Sequence, residues 1–173
     1  MAFTRLITTD DAPALAKRLT ENRDFLAPWD PVRGEDFFSV EKQLDIVRRD
    51  LEAHAEGSML PLAIVADGEL VGRININGIT RGAFQSAVIG YWVSESHNGR
   101  GIATDAGAEA KERAFADLGL HRLQAETLIR NTASQRVLER NGFTPFGIAP
   151  KFLKIAGRWQ DHVLYQVLNP DES

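Results

Sequence analysis

Hydrophobic residues recur along the chain with two spacings, one typical of helices and one of buried strands. A helical period follows Ser39, a residue type that caps helices, and Gly57 is expected to end this helix; its apolar positions are Val40, Leu44, Val47 and Leu51. Two apolar runs, residues 60–66 and 70–76, flank Asp67-Gly68, a dipeptide that favours the turn of a β-hairpin. The pattern therefore predicts a helix followed by two antiparallel strands.

The same alternation of helices and strands extends over the rest of the chain. Residues 22–38 contain two prolines and Gly34, and we expect them to be irregular. The predicted strands are residues 3–7, 60–66, 70–76, a run ending at Val93, 122–129, 143–155 and 159–167; the predicted helices are 9–19, 39–57, 102–118 and one that opens with a capping box at Thr132-Ala-Ser-Gln135. This order predicts an α/β fold with a mixed sheet, built as a single domain over residues 1–173.

The amino-acid composition excludes several classes of function. Hydrophobic residues make up 43% of the chain and charged residues 25%, which are ordinary values for a globular protein. The formal charge of −4 argues against nucleic-acid binding, and the lack of cysteine excludes disulfides, thiolate metal sites and a cysteine nucleophile. His54, His97 and His121 show no metal-ligand spacing, and no apolar run is long enough to span a membrane. We expect a cytoplasmic protein without a metal or a membrane partner.

The richest chemical signal lies between the strand that ends at Val93 and the helix that follows. A glycine-bracketed loop exposes several backbone N–H groups here, at the positive end of the helix dipole, which suits a polyphosphate. The loop lacks the ending of a Walker motif and the third glycine of a Rossmann fingerprint, so an ordinary glycine turn that caps the helix is the alternative. Its residues are Asn98, Gly99, Arg100, Gly101, Ile102, Ala103 and Thr104.

This loop resembles the acetyl-CoA pyrophosphate loop of the GCN5-related N-acetyltransferases (GNAT), whose pattern is Gln/Arg-x-x-Gly-x-Gly/Ala. Asn98, Gly101 and Ala103 fall on the patterned positions, with Asn98 in place of the usual Gln or Arg. The order of predicted elements is also that of the superfamily. Further segments resemble its RimJ/RimL branch, the ribosomal-protein N-terminal acetyltransferases, and RimJ is the closer type; they are residues 22–33, 81–84 with 90–91, 131–143 and 157–165.

The resemblance implies a single-domain GNAT fold, a mixed and mostly antiparallel sheet of about seven strands with about four helices on both faces. It also implies acetyl-CoA as cosubstrate, bound by backbone N–H groups of residues 98–104, with Arg100 as a further phosphate contact. Asn131 would contact the pantetheine arm, and Ser134 would donate a hydrogen bond or a proton to the leaving thiolate. Backbone N–H groups would bind the thioester carbonyl near Trp92, Val93 and Ser94. By residue type alone, Asn131 and Ser134 are more often plain helix-start residues.

Amine acetylation also needs a base and an acceptor site. Some RimL-type enzymes carry a glutamate in the penultimate strand, where this chain has Leu153. We predict Glu126 as the base, and its alternative is an ordinary surface-facing residue of a strand. The predicted acceptor contacts are Trp29, Arg33, Arg81 and Tyr91.

Three functions follow from these residues. The leading hypothesis is an acetyl-CoA-dependent N-acetyltransferase that acts on the N-terminal α-amine of a protein, with a ribosomal protein as the expected partner. A second hypothesis is acetylation of a small amine, such as an aminoacyl nucleotide or an antibiotic. A third is a non-catalytic CoA-binding protein, which the pair Asn131 and Ser134 disfavours. The sequence leaves monomer and homodimer equally open.

Overall fold

A single mixed sheet organises the computed structural model, which describes residues 2–171. Its seven strands run in the order β1-β2-β3-β4-β5-β7-β6. Every neighbouring pair is antiparallel except β4 and β5, which are parallel. The strands are β1 Ala2–Leu6, β2 Leu60–Ala66, β3 Glu69–Thr80, β4 Ser86–Val93, β5 Arg122–Leu128, β6 Thr144–Ile155 and β7 Arg158–Leu168. The predicted fold, a mixed and mostly antiparallel sheet, is confirmed.

Five α-helices connect the strands in the described part of the chain. They are α1 Ala12–Glu21, α2 Arg23–Leu26, α3 Val40–Ala55, α4 Ile102–Glu112 and α5 Thr132–Arg140. A π-helical turn at Arg113–Asp117 extends α4, so the predicted helix over 102–118 has the right length. The prediction that residues 22–38 are irregular was wrong in detail, because α2 and two 3-10 turns, Ala27–Trp29 and Glu35–Phe38, fill most of that segment.

Local sequence signals predict the start of α3 and the β2–β3 turn correctly, but not the start of α5. The Ser39 hydroxyl accepts the N–H of Lys42 at 3.1 Å and caps α3 as predicted. Asp67 and Gly68 both have positive φ, 54° and 78°, as the type I′ hairpin turn requires. The capping box at Thr132 was wrong: Asn131 is the N-cap of α5, and its side chain accepts the N–H of Ser134 at 3.2 Å.

Helices cover both faces of the sheet and define two hydrophobic cores. On one face, α4 and α5 pack on the central strands, and the core there includes Ala106, Ala110 and Leu138. On the other face, Leu15 of α1 and Val47 of α3 form a smaller core against the first strands. The stripe of buried alanines lets α4 approach the sheet closely, because their methyl groups occupy little space between the helix and the strands.

The parallel pair β4 and β5 separates along its length. Pairing joins Ser86 to Arg122 and continues only to Val88 and Gln124. The two strands then diverge toward their carboxyl ends, while β5 stays paired with β7 over its whole length. Helix α4 begins after β4 and α5 begins after β5, so two helix N-termini lie near the opening.

The close packing of α4 on the sheet gives a first prediction. Ala110→Leu adds three carbons at a fully buried position, and we expect overpacking to lower the free energy of unfolding by about 1–3 kcal/mol. Ala108→Leu on the exposed side of the same helix should change it by less than about 0.5 kcal/mol. Urea unfolding of both variants measures the difference, and equal stabilities would contradict the packing described here.

Candidate active site

The opening between β4 and β5 leads into a cleft of about 470 Å³. Its sides come from β4, β5, the start of α5 and the loop that contains Trp29. Several side chains predicted from distant parts of the sequence therefore meet in one place. The predicted site residues that line it are Trp29, Tyr91, Trp92, Val93, Asn98, Ala103, Glu126, Asn131 and Ser134.

The sheet divides the chemical groups of this cleft between its two faces. Tyr91 packs against the core beneath α4 and α5, whereas Trp92 packs against the core beneath α1 and α3. Side chains alternate along a strand, and Val88 is paired with Gln124, so Glu126 lies on the same face as Trp92. Gly90, also on that face, carries no side chain and leaves space beside the opening.

On the face of α5, Tyr91 and Ser134 form a hydrogen-bonded pair. The Tyr91 hydroxyl lies 2.8 Å from Ser134 Oγ and 3.2 Å from the Ser134 carbonyl oxygen. Burial raises the pKa of Tyr91 to about 12, against the opposing effect of the bond to Ser134. The phenol therefore stays protonated at neutral pH and acts as a neutral hydrogen-bond donor. Tyr91 lines the cleft as predicted, and its hydroxyl lies beside Ser134; an acceptor contact of Tyr91 stays a prediction.

Backbone N–H groups of β4 alternate between β3 and the opening. The Ser94 N–H donates to the Val71 carbonyl at 2.8 Å, so it points toward β3. Trp92 lies two residues earlier and points its N–H the same way, because antiparallel pairing alternates with a period of two. Val93 and Tyr91 consequently direct their N–H groups toward the opening. Of the three donor positions predicted from the sequence, only Val93 directs its N–H toward the opening.

The glycine loop ends in an uncapped helix N-terminus. Gly101 is the N-cap of α4 with φ of 78°, and no side chain accepts a hydrogen bond there. The first N–H groups of the helix, from Ile102 to Thr104, therefore lack the partner that a capping side chain gives elsewhere in this chain. The left-handed conformation of Gly101 strains any β-branched residue, although a Cβ there meets nothing within 4 Å.

Two loop residues have partners that the sequence did not indicate. Arg100 donates to the Asp67 carboxylate at 2.9 Å, in an exposed ion pair with the β2–β3 turn. The Asn98 N–H donates to the Glu95 carbonyl at 3.0 Å. The Arg100 guanidinium is therefore paired with Asp67, and this argues against the predicted contact between Arg100 and a phosphate.

Glu126 has the environment of a base. Burial raises the pKa of its carboxyl above the ordinary value. The structure records no hydrogen bond or ion pair to this carboxyl from any group within residues 2–171. Leu153 and His162 also line the cleft, and the Nδ1 atom of His162 lies 2.9 Å from the Gln160 carbonyl oxygen. An unpartnered, partly desolvated carboxylate beside an open space is suited to accept a proton.

The predicted acceptor loop is fixed to the sheet at two points. Arg130 donates to the Pro28 carbonyl at 2.8 Å, and its guanidinium stacks 4.8 Å from the ring centre of Trp29. The Ala156 N–H donates to the Asp30 carbonyl at 2.9 Å. These bonds hold Trp29 at the mouth of the cleft, where the sequence analysis expected it.

The two predicted acceptor arginines have different positions. Arg33 lies in this loop, 3.4 Å from the Asp30 carboxylate and stacked on Phe37. Arg81 does not reach the cleft: it donates to the Leu118 carbonyl at 2.6 Å, at the opposite end of β4. The structure therefore does not bring Arg81 to the cleft. Arg81 is close to β4 in the sequence, but it precedes the amino end of this strand, whereas the opening lies at the carboxyl end.

Comparison with known proteins decides the family. Residues 3–144 match the acetyltransferase (GNAT) domain family. The chain is a GNAT N-acetyltransferase. It shares 37% identity with the probable N-acetyltransferase YjcK of Bacillus subtilis, over 98% of this chain and 95% of that protein. It shares 32% identity with the ribosomal protein uS5-alanine N-acetyltransferase of Escherichia coli, over 96% of this chain and 87% of that protein.

A solved structure has the same fold. Mycobacterium smegmatis RimJ, determined in complex with CoA-disulfide, superposes on this acetyltransferase with a TM-score of 0.95 at 34% identity. The match covers 99% of this chain and 83% of the other. The predicted family and its RimJ/RimL branch are therefore confirmed.

Asp30 and Asn77 are among the residues of the acetyltransferase cleft that the sequence did not predict. Asp30 and Asn77 both line it, and burial raises the pKa of Asp30 although Arg33 opposes the shift. Asp30 lies between Trp29 and Pro31. A single carboxylate between an aromatic residue and a proline could have indicated a site residue. Asn77 gave none, since an asparagine near the end of a hairpin strand is ordinary.

The described residues of the acetyltransferase contain neither a candidate metal site nor a candidate membrane-spanning helix. No set of three or more His, Asp or Glu side chains within residues 2–171 is arranged to hold a metal ion. Over the same residues, no helix has the length and apolar character needed to cross a bilayer.

The raised pKa of Glu126 gives a prediction about stability. A carboxyl with a higher pKa in the folded state favours folding when protonated and opposes it once ionised. Glu126→Gln should therefore be more stable than the parent at pH 8, and the difference should shrink as the pH falls toward about 4.3, the unfolded pKa of glutamate. Thermal unfolding at several pH values measures this trend. The exposed Glu52→Gln is the control, and an equal trend in both variants would contradict the desolvation of Glu126.

Proposed function

We propose that this acetyltransferase transfers the acetyl group of acetyl-CoA to the N-terminal α-amine of a protein, with a ribosomal protein as its substrate. The observation that carries the proposal is the opening between β4 and β5, which has an uncapped helix N-terminus on one side and Glu126 on the other. The relative named for acetylating alanine on ribosomal protein uS5 supports the acceptor class. We propose further that residues 1–173 act as one domain in the cytoplasm, where such substrates are made.

The residues present fit acetyl-CoA on two counts. The backbone N–H groups from Ile102 to Thr104 lack a capping side chain, and such groups bind phosphate oxygens. The same cleft is lined by Asn98 and Ala103 of this loop and by Ser134. Acetyl-CoA supplies an activated acetyl group as its thioester. Asn131 lines the cleft, but its backbone N–H donates to the Leu128 carbonyl, its carbonyl accepts the Gln135 N–H, and its side-chain oxygen caps α5. Its side-chain NH2 is the group left to contact the pantetheine arm.

Each remaining part of the reaction has a group in the cleft. The Glu126 carboxylate accepts the proton that the attacking amine must lose. The Val93 N–H stabilises the negative charge that develops on the carbonyl oxygen. Ser134 Oγ donates a proton or hydrogen bond to the departing sulfur, with the Tyr91 hydroxyl 2.8 Å away as its hydrogen-bond partner. The sheet separates the base on one face from the donor pair on the other, so the two proton transfers do not compete.

The α-amine is the favoured acceptor because of its acidity. Its pKa of about 7.7–8.0 leaves roughly a third of the molecules neutral at pH 7.5, whereas a lysine with pKa near 10.4 is neutral in about one molecule in a thousand. A single desolvated carboxylate is an adequate base for the first amine but a poor one for the second. A small amine remains the alternative acceptor. The polar groove beyond Asn77, about 490 Å³ in volume, favours a peptide, since a small amine needs no extended site.

The acceptor class can be tested directly. A peptide with a free N-terminus should be acetylated at least about a hundredfold faster than the same peptide with a blocked N-terminus and one free lysine, following the difference in neutral amine. The rate with the free N-terminus should also rise between pH 6.5 and about 8 as the amine loses its proton. Thiol release from acetyl-CoA measures both. Comparable rates on the blocked peptide would refute N-terminal specificity, and activity on small amines alone would favour the alternative.

The donor pair gives a second test. Ser134→Ala should lower kcat by about tenfold to a hundredfold with little change in the KM for acetyl-CoA, because a proton donor acts on charge that appears in the transition state. Tyr91→Phe should produce a smaller decrease in kcat, since Tyr91 acts through Ser134. Ser96→Ala, an exposed serine outside the cleft lining, is the control. An unchanged kcat in Ser134→Ala, with the chemical step shown to be rate-limiting, would exclude this role.

A further inference from the structure

A second groove, about 490 Å³ in volume, continues from the cleft along β3 toward α3. Asp30, Asn77 and Trp92 line both cavities, so the two are joined. The Asn77 side chain makes no hydrogen bond with any group in residues 2–171, which leaves its amide available at this junction. An acceptor whose amine lies beside Gly90 would extend along β3 into the groove, past Asn75 and Arg73.

The groove has a positive balance in a chain of formal charge −4. Three arginines and two aspartates line it, which are Arg33, Arg49, Arg73, Asp30 and Asp50. The two aspartates are already paired, Asp30 with Arg33 at 3.4 Å and Asp50 with Arg73 at 2.8 Å. The third guanidinium, that of Arg49, makes no ion pair with any described residue. One uncompensated positive charge therefore lines the groove.

Arg73 adds a second, buried donor. Its side chain is only 8% exposed, and its Nη2 atom donates to Asp50 and to Asn75 Oδ1 at 2.8 and 3.1 Å. The Nε atom of Arg73 is buried without a hydrogen-bond partner within the described chain. A buried N–H donor left unpaired is costly, so the hydrogen-bonding capacity of Arg73 is not fully used within the described chain.

We propose that this groove binds an acidic side chain of the acceptor peptide, so that the enzyme prefers N-termini with Asp or Glu at the third or fourth residue. The inference rests on the proposed N-terminal acetylation. Gly90 is paired with Asn75, and Arg73 lies two residues further along β3, about 7 Å at the rise of a strand. An extended peptide covers this distance in about two residues, so an amine beside Gly90 places the third residue of the peptide level with Arg73. The carboxylate of the third or fourth residue then lies near the guanidinium groups of Arg49 and Arg73.

The charge preference is measured with peptides that differ at one residue. Four peptides share a free N-terminal alanine and carry Glu, Gln or Lys at position 4, or Glu at position 8 with Gln at position 4. The wild-type enzyme should show a kcat/KM about threefold or more higher for Glu than for Gln at position 4, and lower for Lys than for Gln. The preference should weaken in high salt. Glu at position 8 should give the same value as the Gln peptide.

A charge reversal in the groove supplies the matched test. Arg49 is exposed on α3, so Arg49→Glu should leave the fold intact and shift the preference from the Glu peptide toward the Lys peptide. Arg48→Glu makes the same change one residue earlier, outside the groove lining, and should keep the wild-type order. The kcat/KM for the Gln peptide should stay near the wild-type value in Arg48→Glu.

The outcomes separate this inference from the proposed function. Equal kcat/KM for the Glu, Gln and Lys peptides would overturn the acidic preference while leaving N-terminal acetylation in place. The same shift in Arg48→Glu as in Arg49→Glu would also overturn it, because a general surface potential would then explain the preference. No acetylation of any free N-terminus by the wild-type enzyme would overturn both the proposed function and the role of the groove.

Discussion

The incomplete pairing of β4 and β5 is the constraint on which the rest of the structure depends. Two parallel strands in one sheet normally satisfy each other's backbone groups, but here the ladder stops at Val88 and Gln124. The N–H groups of Tyr91 and Val93 then face an opening instead of a strand. An unpaired ladder is unfavourable in a closed interior, so the opening must stay accessible to water or a ligand. The cleft, the exposed backbone donors and the access to Ser134 all follow from this single divergence.

Function and stability oppose each other at this opening. Glu126 lies partly buried without a charged partner among residues 2–171, and the same desolvation that raises its pKa makes it a stronger base and a less favourable residue for folding. Tyr91 is also desolvated, but its raised pKa keeps it neutral and hydrogen-bonded to Ser134. The sheet thus carries an ionisable base on one face and, on the other, a phenol that stays protonated at neutral pH. Both faces remain anchored by separate hydrophobic cores, which keep the strands apart without loosening the fold.

The acceptor side is held together by contacts between distant segments. Arg130, at the end of β5, fixes the loop that carries Trp29, and the β6–β7 turn binds the carbonyl of Asp30. Arginines stacked on aromatic rings repeat along the loop, with Arg33 on Phe37 and Arg130 on Trp29. These contacts fix the segment from α2 to Asp30, which lines the cleft and, through Asp30, also the groove. The acceptor site is consequently positioned by packing across the sheet rather than by the loop sequence alone.

The sequence by itself determined the element order, the Asp67-Gly68 hairpin, the glycine loop, and the presence of Asn131 and Ser134 at a helix start, because each depends on backbone preferences of a few adjacent residues. It also indicated the family, since those motifs occur in the right order. Only the tertiary structure decided that Tyr91 lies beside Ser134, that Arg81 lies at the far end of β4, that Arg100 pairs with Asp67, and that Asp30 and Asn77 enter the cleft. Period-two alternation shows that neighbours on a strand point to opposite faces, but which face meets the acceptor depends on how helices distant in sequence pack on the sheet.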